Sequence, residues 1–321
     1  MSVYNSSRFL KPALESVLAQ TLGDFEFIII NDGSTDNSAQ ILSSYSDPRI
    51  RIINQPNQGL VVALNVGIQQ ATAPLIARMD ADDICLPDRL QLQYDYLQSH
   101  PQIALLGAYV ETIDEADRTL APVLPFPLTH QQLWAQIARR SLVICHPAVM
   151  FRRDAAIDIG LYDTAFPIAE DTEFFARFMS KYTAATLPKV VLRYRLVRSG
   201  MSSMRKQQGL QNSAMIADMI DRAIPGQLLR PTPEQRRLAG IKPNGIDPTI
   251  TPADVESSYH LRLGRELLRG RQWSRAAAEY LLAAKSKPFD WQAYAGLACS
   301  IVRKGAAKFP QPDATSPGGA V

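Results

Sequence analysis

The chain has 321 residues, 46% of them hydrophobic, enough for one sizeable α/β core with an appendage or for two modest domains that fold without covalent staples. Lys and Arg number 34 against 31 Asp and Glu, so the net charge of +3 gives no basis for nucleic-acid binding, and a polyanionic partner needs a local site. Three dispersed cysteines, Cys85, Cys145 and Cys299, argue against a disulfide framework or a structural zinc site. No apolar run reaches the roughly 18 residues that span a bilayer, so the expectation is a cytoplasmic protein, at most peripheral to the inner face of a membrane.

The opening "MSVYNSSRFLKPALESVLAQT" predicts a helix over residues 7–20, with Phe9, Leu10, Ala13, Leu14, Val17 and Leu18 on one stripe, and no strand before it. "FEFIII" (25–30), closed by "NDGSTDNS", reads as a buried strand, a turn and a helix start. "RIRIIN" (49–54) and "PLIARMD" (74–80) repeat the strand pattern, with helices at 36–45 and 60–71 between them. Strands alternating with helices imply a parallel sheet covered on both faces, whose ligands bind beyond the carboxyl ends of the strands. Asn31-Asp32-Gly33 and Asp80-Ala81-Asp82-Asp83 each follow a strand and should face one crevice.

A helix at 87–99 and a strand at 103–113 follow, then a Pro-containing loop "ADRTLAPVLPFPLTH", a strand at 142–151, a helix at 167–182 and a strand at 189–197. Residues 201–256 read as helix and linker. Residues 257–305 match the tetratricopeptide pattern at Leu263-Gly264, Leu267, Ala276, Tyr280, Ala283 and Pro288, with a partial second copy from Trp291. An ordinary helical hairpin with small residues at its crossing accounts for the same positions. Residues 306–321 are expected to be disordered.

The succession "SVYNSSRFLKPALESVLAQTLGDFEFIIINDGSTDNS", "NQGLVVALNVGI", "ARMDADD" and "AEDTEFFAR" resembles the family-2 glycosyltransferases over residues 1–200. The resemblance implies a GT-A type fold, a Rossmann-like, mostly parallel sheet flanked by helices, here with a helical C-terminal extension. It implies transfer of a sugar, with inversion, from a nucleotide-diphosphate sugar, commonly a UDP-sugar, to a hydroxyl of a glycan or lipid-linked glycan. In that family an apolar strand precedes "VYN". The expectation is that Met1 is internal to a longer protein and that a few upstream residues complete the sheet, which otherwise leaves unpaired backbone groups in the core.

The resemblance also assigns roles. The leaving diphosphate needs a divalent cation such as Mn²⁺ or Mg²⁺, held by carboxylates and phosphates. Asp82 takes the metal and Asp80 the donor ribose. Asp83 supports the loop or caps the next helix. Tyr4 and Asp32 form the base pocket, although Asp32 also suits an Asx-turn beside Gly33. Gly59 and Asn65 border the donor, or Asn57 and Gly59 make a plain turn. The acceptor hydroxyl needs a general base. Asp171 is that base, with Glu170 secondary and His146 in the acceptor region or simply structural. Glu170 and Asp171 equally suit a helix start. Arg193, Arg195 and Arg198 with "MRKQQ" (204–208) read as a solvated cationic face, or as an anchor to an anionic membrane.

Two other classes compete. A catalytically impaired binding protein would use its C-terminal helices to hold a protein partner. A sugar-phosphate nucleotidylyltransferase shares the metal dependence, but the glycine-rich loop expected near its start is missing from this sequence.

Overall fold

The apolar run that ends at Asp32 forms the centre of the N-terminal sheet. In the computed structural model, which describes residues 1–138, 144–198, 212, 215–220, 228–239 and 251–306, β1 (Ser2–Val3), β2 (Phe27–Asp32) and β3 (Ile50–Gln55) lie parallel in that order. Every residue of β2 is buried, as a strand covered on both faces requires. Helix α1 (Ser7–Leu18) buries Leu10, Ala13, Leu14 and Val17, one stripe at helical spacing. After α2 (Ser38–Ser43), α3 (Leu60–Gln70) buries Val61, Ala63, Leu64 and Ile68.

A strand does precede α1, contrary to expectation. Ser2 and Val3 pair with Ile30 and Asn31, and Ser2 also bridges to Asp80, so β1 stands between β2 and the acidic segment. Two residues are too few to show any periodicity.

The second sheet contains β4 (Leu75–Ala77), β5 (Ile84–Cys85), β6 (Ile103–Ile113), β7 (Thr119–Leu124), β8 (Met150–Arg152) and β9 (Thr183–Arg195). Its order is β4-β8-β6-β9-β5, with β7 on β6. The parallel pairing expected along the chain holds between β6 and β9, whereas the other pairs of this sheet are antiparallel. Helices α4 (Arg89–Ser99), α5 (His130–Ala138), α6 (Arg153–Asp158) and α7 (Glu170–Lys181) accompany it.

Three expectations need correction. The proline-containing loop holds β7 and the first residue of α5; Pro122 is tolerated because β7 pairs with β6 alone. The strand expected at 142–151 is a 3₁₀ turn at His146–Ala148 followed by β8, and residues 142 and 143 lie outside the described residues. The last strand starts at Thr183, because Pro188 falls where the β6–β9 register slips between Ala108 and Tyr109, a bulge that spares the ladder. The basic segment 204–208, most of the expected linker and the tail beyond residue 306 lie outside the described residues.

An aromatic cluster fills the core beside this sheet. Tyr162 stacks on Phe174 with ring centroids 4.0 Å apart, Phe151 packs edgewise on Phe174, and the Phe178 ring lies tilted against it. Buried Arg177 pairs with Glu173 and donates to the carbonyls of Ile159 and Leu161, tying α7 to the turn ahead of Tyr162.

The chain divides into two units, Met1–Ile250 and Thr251–Val321. The first also contains α8 (Pro233–Ala239). The second is built from α9 (Pro252–Arg269), α10 (Trp273–Ser286) and α11 (Trp291–Ala306). A capping box between Thr251 and Asp254 starts α9. Tyr280 of α10 lies against Gly264 of α9 and Gly296 of α11, where an added Cβ would stand 2.8 and 2.2 Å from its ring.

Gly33, at the end of β2, has φ +70°, and a Cβ there would meet the backbone nitrogen of Asn57 at 2.6 Å. Gly33→Ala should therefore cost about 2 kcal/mol through backbone strain and displacement of the 56–57 segment. In thermal unfolding this reads as a Tm fall of roughly 4–8 °C. Gly23→Ala, where nothing lies within 4 Å of the added Cβ, should leave Tm nearly unchanged.

Candidate active site

The carboxyl ends of β1 and β2 deliver two turns that brace each other. The Asn5 side-chain oxygen accepts from the backbone nitrogens of Thr35, at 2.8 Å, and Asp36. Asp36 in turn accepts from the backbone nitrogens of Ser7 and Ser38. Tyr4 projects from this braced turn with 47% of its surface exposed.

Asp32 is anchored within the fold at the end of β2. It is buried, and its carboxylate accepts from Gln55 Nε2 at 2.7 Å and from the backbone nitrogens of Gln58 and Gly59 at 2.9 Å each. The Asx-turn to Gly33 is not among these bonds. Asp32 instead organises the 55–59 loop and the start of α3, for which Gly59 is the N-cap. Asn65 is likewise occupied: its amide exchanges two hydrogen bonds of 2.9 Å with the backbone of Tyr162.

Asp80, Asp82 and Asp83 converge, each offering a carboxylate oxygen within 4.8 Å of the others. Two arginines hold this loop. Buried Arg78 donates to Asp80 at 2.6 Å. Arg195, at the end of β9, donates from its backbone nitrogen to Asp83 at 2.8 Å and from Nε to the Asp82 carbonyl at 2.7 Å. Its guanidinium lies over the Phe9 ring and also meets Asp117. Arg195 is thus a buried clamp on the acidic loop, not part of a solvated face. Asp83 supports the loop but caps no helix, since Asp88 holds the N-cap of α4.

Burial, reinforced by Asp80, pushes the Asp82 carboxyl up to about 7, and burial beside both neighbours raises Asp83 well above the carboxylate range. One oxygen of Asp83 is buried without a hydrogen-bond partner. Three clustered carboxylates, of which Asp82 and Asp83 are raised by burial and then by their neighbours, with an orphaned oxygen on Asp83, form a hard oxygen donor set that suits a divalent cation.

The second acidic group comes from the start of α7. Glu170 is buried, with Oε1 3.8 Å from His146 Nδ1, and His146 Nε2 lies 2.8 Å from the Tyr162 hydroxyl. Burial and then Arg78 keep His146 neutral, its pKa well below the usual value. Burial, with Asp171 beside it, pushes Glu170 up to about 8, so Glu170 carries a proton at neutral pH. Burial raises Asp171 too, but its bonds from the Thr172 backbone nitrogen and hydroxyl, and the nearby Arg78 charge, oppose the rise. Asp171 is therefore the better proton acceptor of the pair.

Arg78 links the two groups. Burial works against its charge, yet Asp80, Tyr162 and Glu170 together hold it protonated above its ordinary range. Neither Arg78 nor Tyr162 stands out in the sequence. The only signal is the placement of Arg78 two residues before Asp80, directly after the short apolar strand β4.

This arrangement of two sheets with acidic loops at their ends is a GT-A type fold. A mannosyltransferase from Pyrobaculum calidifontis, solved with GDP-Man and Mn²⁺, matches it with a TM-score of 0.55 at 17% identity, over 96% of this chain and 86% of that one. S. aureus TarS 1–349, solved with UDP-GlcNAc, matches with a TM-score of 0.54 at 14% identity, over 98% of this chain and 93% of that one. In sequence, residues 1–160 match the family described as Glycosyl transferase family 2. The amylovoran biosynthesis glycosyltransferase AmsE of Erwinia amylovora is 34% identical over 215 residues, 65% of this chain and 78% of its own. An uncharacterised glycosyltransferase of Methanocaldococcus jannaschii is 30% identical over 216 residues, 65% of this chain and 74% of its own. The chain belongs to glycosyltransferase family 2 and is a glycosyltransferase. Among the described residues no helix is long and apolar enough to cross a membrane.

The state of Glu170 has a measurable sign. Its folded pKa of about 8 lies above the unfolded value of 4.5, so its contribution to stability is complete below about 4.5 and is lost as pH rises through about 8. Glu170→Gln, which keeps the neutral form at every pH, should flatten the fall of Tm between pH 5 and 8.5, measured against the parent in a metal chelator.

Proposed function

We propose that the protein transfers a hexose from a nucleotide-diphosphate sugar, UDP-linked by preference, to an acceptor hydroxyl of a glycan or lipid-linked glycan, with inversion at the anomeric carbon. The observation that carries this reading is the convergence of the Asp80-Asp82-Asp83 loop and the Glu170-Asp171 pair about Arg78. Asp82 and Asp83 are the residues suited to hold Mn²⁺ or Mg²⁺, Asp80 being nearer the donor and paired with Arg78. When bound, the cation supplies a positive charge against the diphosphate as the glycosidic bond breaks.

The remaining work falls to side chains. Tyr4 offers its exposed face to the base, and the loop fixed by Asp32 shapes the pocket beside it. Asp171 takes the proton of the acceptor hydroxyl, whose oxygen forms the new bond to the anomeric carbon as the diphosphate oxygen departs. Protonated Glu170, next to neutral His146, is positioned to donate a hydrogen bond to the acceptor while leaving the base ionised. A base on one side and a leaving group on the other make a single displacement. The kinship with an amylovoran biosynthesis enzyme supports a polysaccharide acceptor.

A protein contact through the C-terminal helices has support of its own, because Phe289 and Trp291 are 99% and 71% exposed.

Two measurements test the assignment. With nucleotide sugars and Mn²⁺, Asp82→Ala should lose nucleotide binding, whereas Asp171→Asn should keep it and lose turnover by about 10²–10⁴-fold; equal activity of both variants and the parent would sink the reading. Proton coupling at the anomeric position of the product should show inversion relative to the donor, and retained configuration would exclude the single displacement.

A further inference from the structure

Helix α11 is apolar on two sides. Ala293 and Ser300 are buried and Gly296 lies against the Tyr280 ring, so one face packs within the second unit. On the other side Trp291, Tyr294, Ala295, Ala298, Ile301 and Val302 are all exposed, Ile301 by 60% and Val302 by 70%. These positions recur at spacings of three and four, which gathers them into one stripe roughly 17 Å long. A surface helix carries one apolar stripe toward its own core, and a second stripe is what a helix presents to another helix. At one end of the stripe the Tyr294 ring is already fixed, because its hydroxyl donates to the Pro288 carbonyl at 2.8 Å.

The stripe has the same plan from either end. Bulky residues stand at its two ends, Trp291 and Tyr294 at one and Ile301 and Val302 at the other, with Ala295 and Ala298 between them. Turned end for end against itself with Ala295 opposite Ala298, it sets Trp291 opposite Val302. Alanines at the crossing let two helix axes approach to the near end of the usual range of about 8–10 Å. The charges follow the same plan. Asp290 and exposed Lys304 are fourteen residues apart, close to four turns, and so share one flank of the stripe. An antiparallel pairing brings each Asp290 to the Lys304 of the other helix and also opposes the helix dipoles. A parallel pairing sets like charge on like charge at both ends.

We propose that α11 pairs antiparallel with α11 of a second copy of this chain, across the stripe from Trp291 to Val302, in a two-fold homodimer. The proposal rests on the protein contact suggested above for the C-terminal helices and names its partner. An unrelated helix could cover the apolar side chains, but the central alanines and the flanking Asp290 and Lys304 are matched together by the same helix reversed. In a two-fold pair each of these contacts is made twice. One pair of short helices falls below about 1,200 Å², the class of weak interfaces, so association should vary with concentration in the micromolar range.

Sedimentation of the full chain in low salt, from about 1 to about 200 µM, should show the mass rise from 35.5 kDa toward that of two chains. Ala298→Glu, exposed in the single chain but central in the pair, should raise the dissociation constant by about 100-fold or more and leave the Tm of dilute protein unchanged. Lys304→Glu and Asp290→Lys should each weaken self-association, and an equimolar mixture of the two should recover it as a heterodimer. A dimer indifferent to Ala298→Glu, or a mixture no stronger than its components, would overturn the proposal. A chain that stays monomeric throughout, with Trp291 and Tyr294 open to hydroxyl-radical labelling, would overturn the homodimer alone. A monomer in which both are protected would show that the chain covers its own stripe, and would end the broader protein-contact reading as well.

Discussion

Five carboxylates, Asp80, Asp82, Asp83, Glu170 and Asp171, are drawn to one place against their mutual repulsion and against desolvation. The rest of the first unit is arranged to hold them there. Arg78 supplies a buried positive charge between the two groups, and Arg195 fastens the acidic loop by its backbone and by Nε. The price is met partly by protonation, because Glu170 and Asp83 sit where a charge is disfavoured. The dependence runs both ways. Arg195 is the last residue of β9, so the long β6–β9 pairing sets the position of the acidic loop, and the loop pins the end of the sheet.

Several motif residues serve geometry before they serve a ligand. Asp32 spends three hydrogen bonds on the 55–59 loop. Asn65 holds the backbone of Tyr162, a residue 97 positions later, and Tyr162 in turn meets His146 by its hydroxyl and Phe174 by its ring. A substitution at Asn65 would thus reach the Glu170 end of the site through packing.

Legibility in the sequence followed the length and regularity of each element. β2, β3, β6 and the helices α1, α3 and α4 announce themselves by apolar runs or stripes bounded by turn residues. β1 and β5 are two residues each and have no pattern to read, while Pro122 and Pro188 hide strand where a proline argues for loop. Asp32 and the Asp80-Asp82-Asp83 loop could be found because each follows a strand, at the edge where such sheets bind ligands, and Glu170 and Asp171 because they open an apolar helix within a motif of the family. The arginines could not, because what distinguishes Arg78 and Arg195 from surface cations is burial, and burial is made by segments remote in sequence. The same limit applies to the ionisation of Glu170 and Asp171, which are adjacent in the chain but differ in the hydrogen bonds that reach them.

In the second unit, the tetratricopeptide-like positions Gly264 and Tyr280 acquire a mechanical meaning. The tyrosine ring is wedged between two helices at points where each lacks a side chain, so the ring works as a gauge block: its thickness sets how closely α9 and α11 approach α10. Three residues far apart in sequence, Gly264, Tyr280 and Gly296, thereby behave as one inherited dimension. A bulkier residue at either glycine would demand a smaller one at Tyr280, and drift at any of the three positions should be seen only in company with the others.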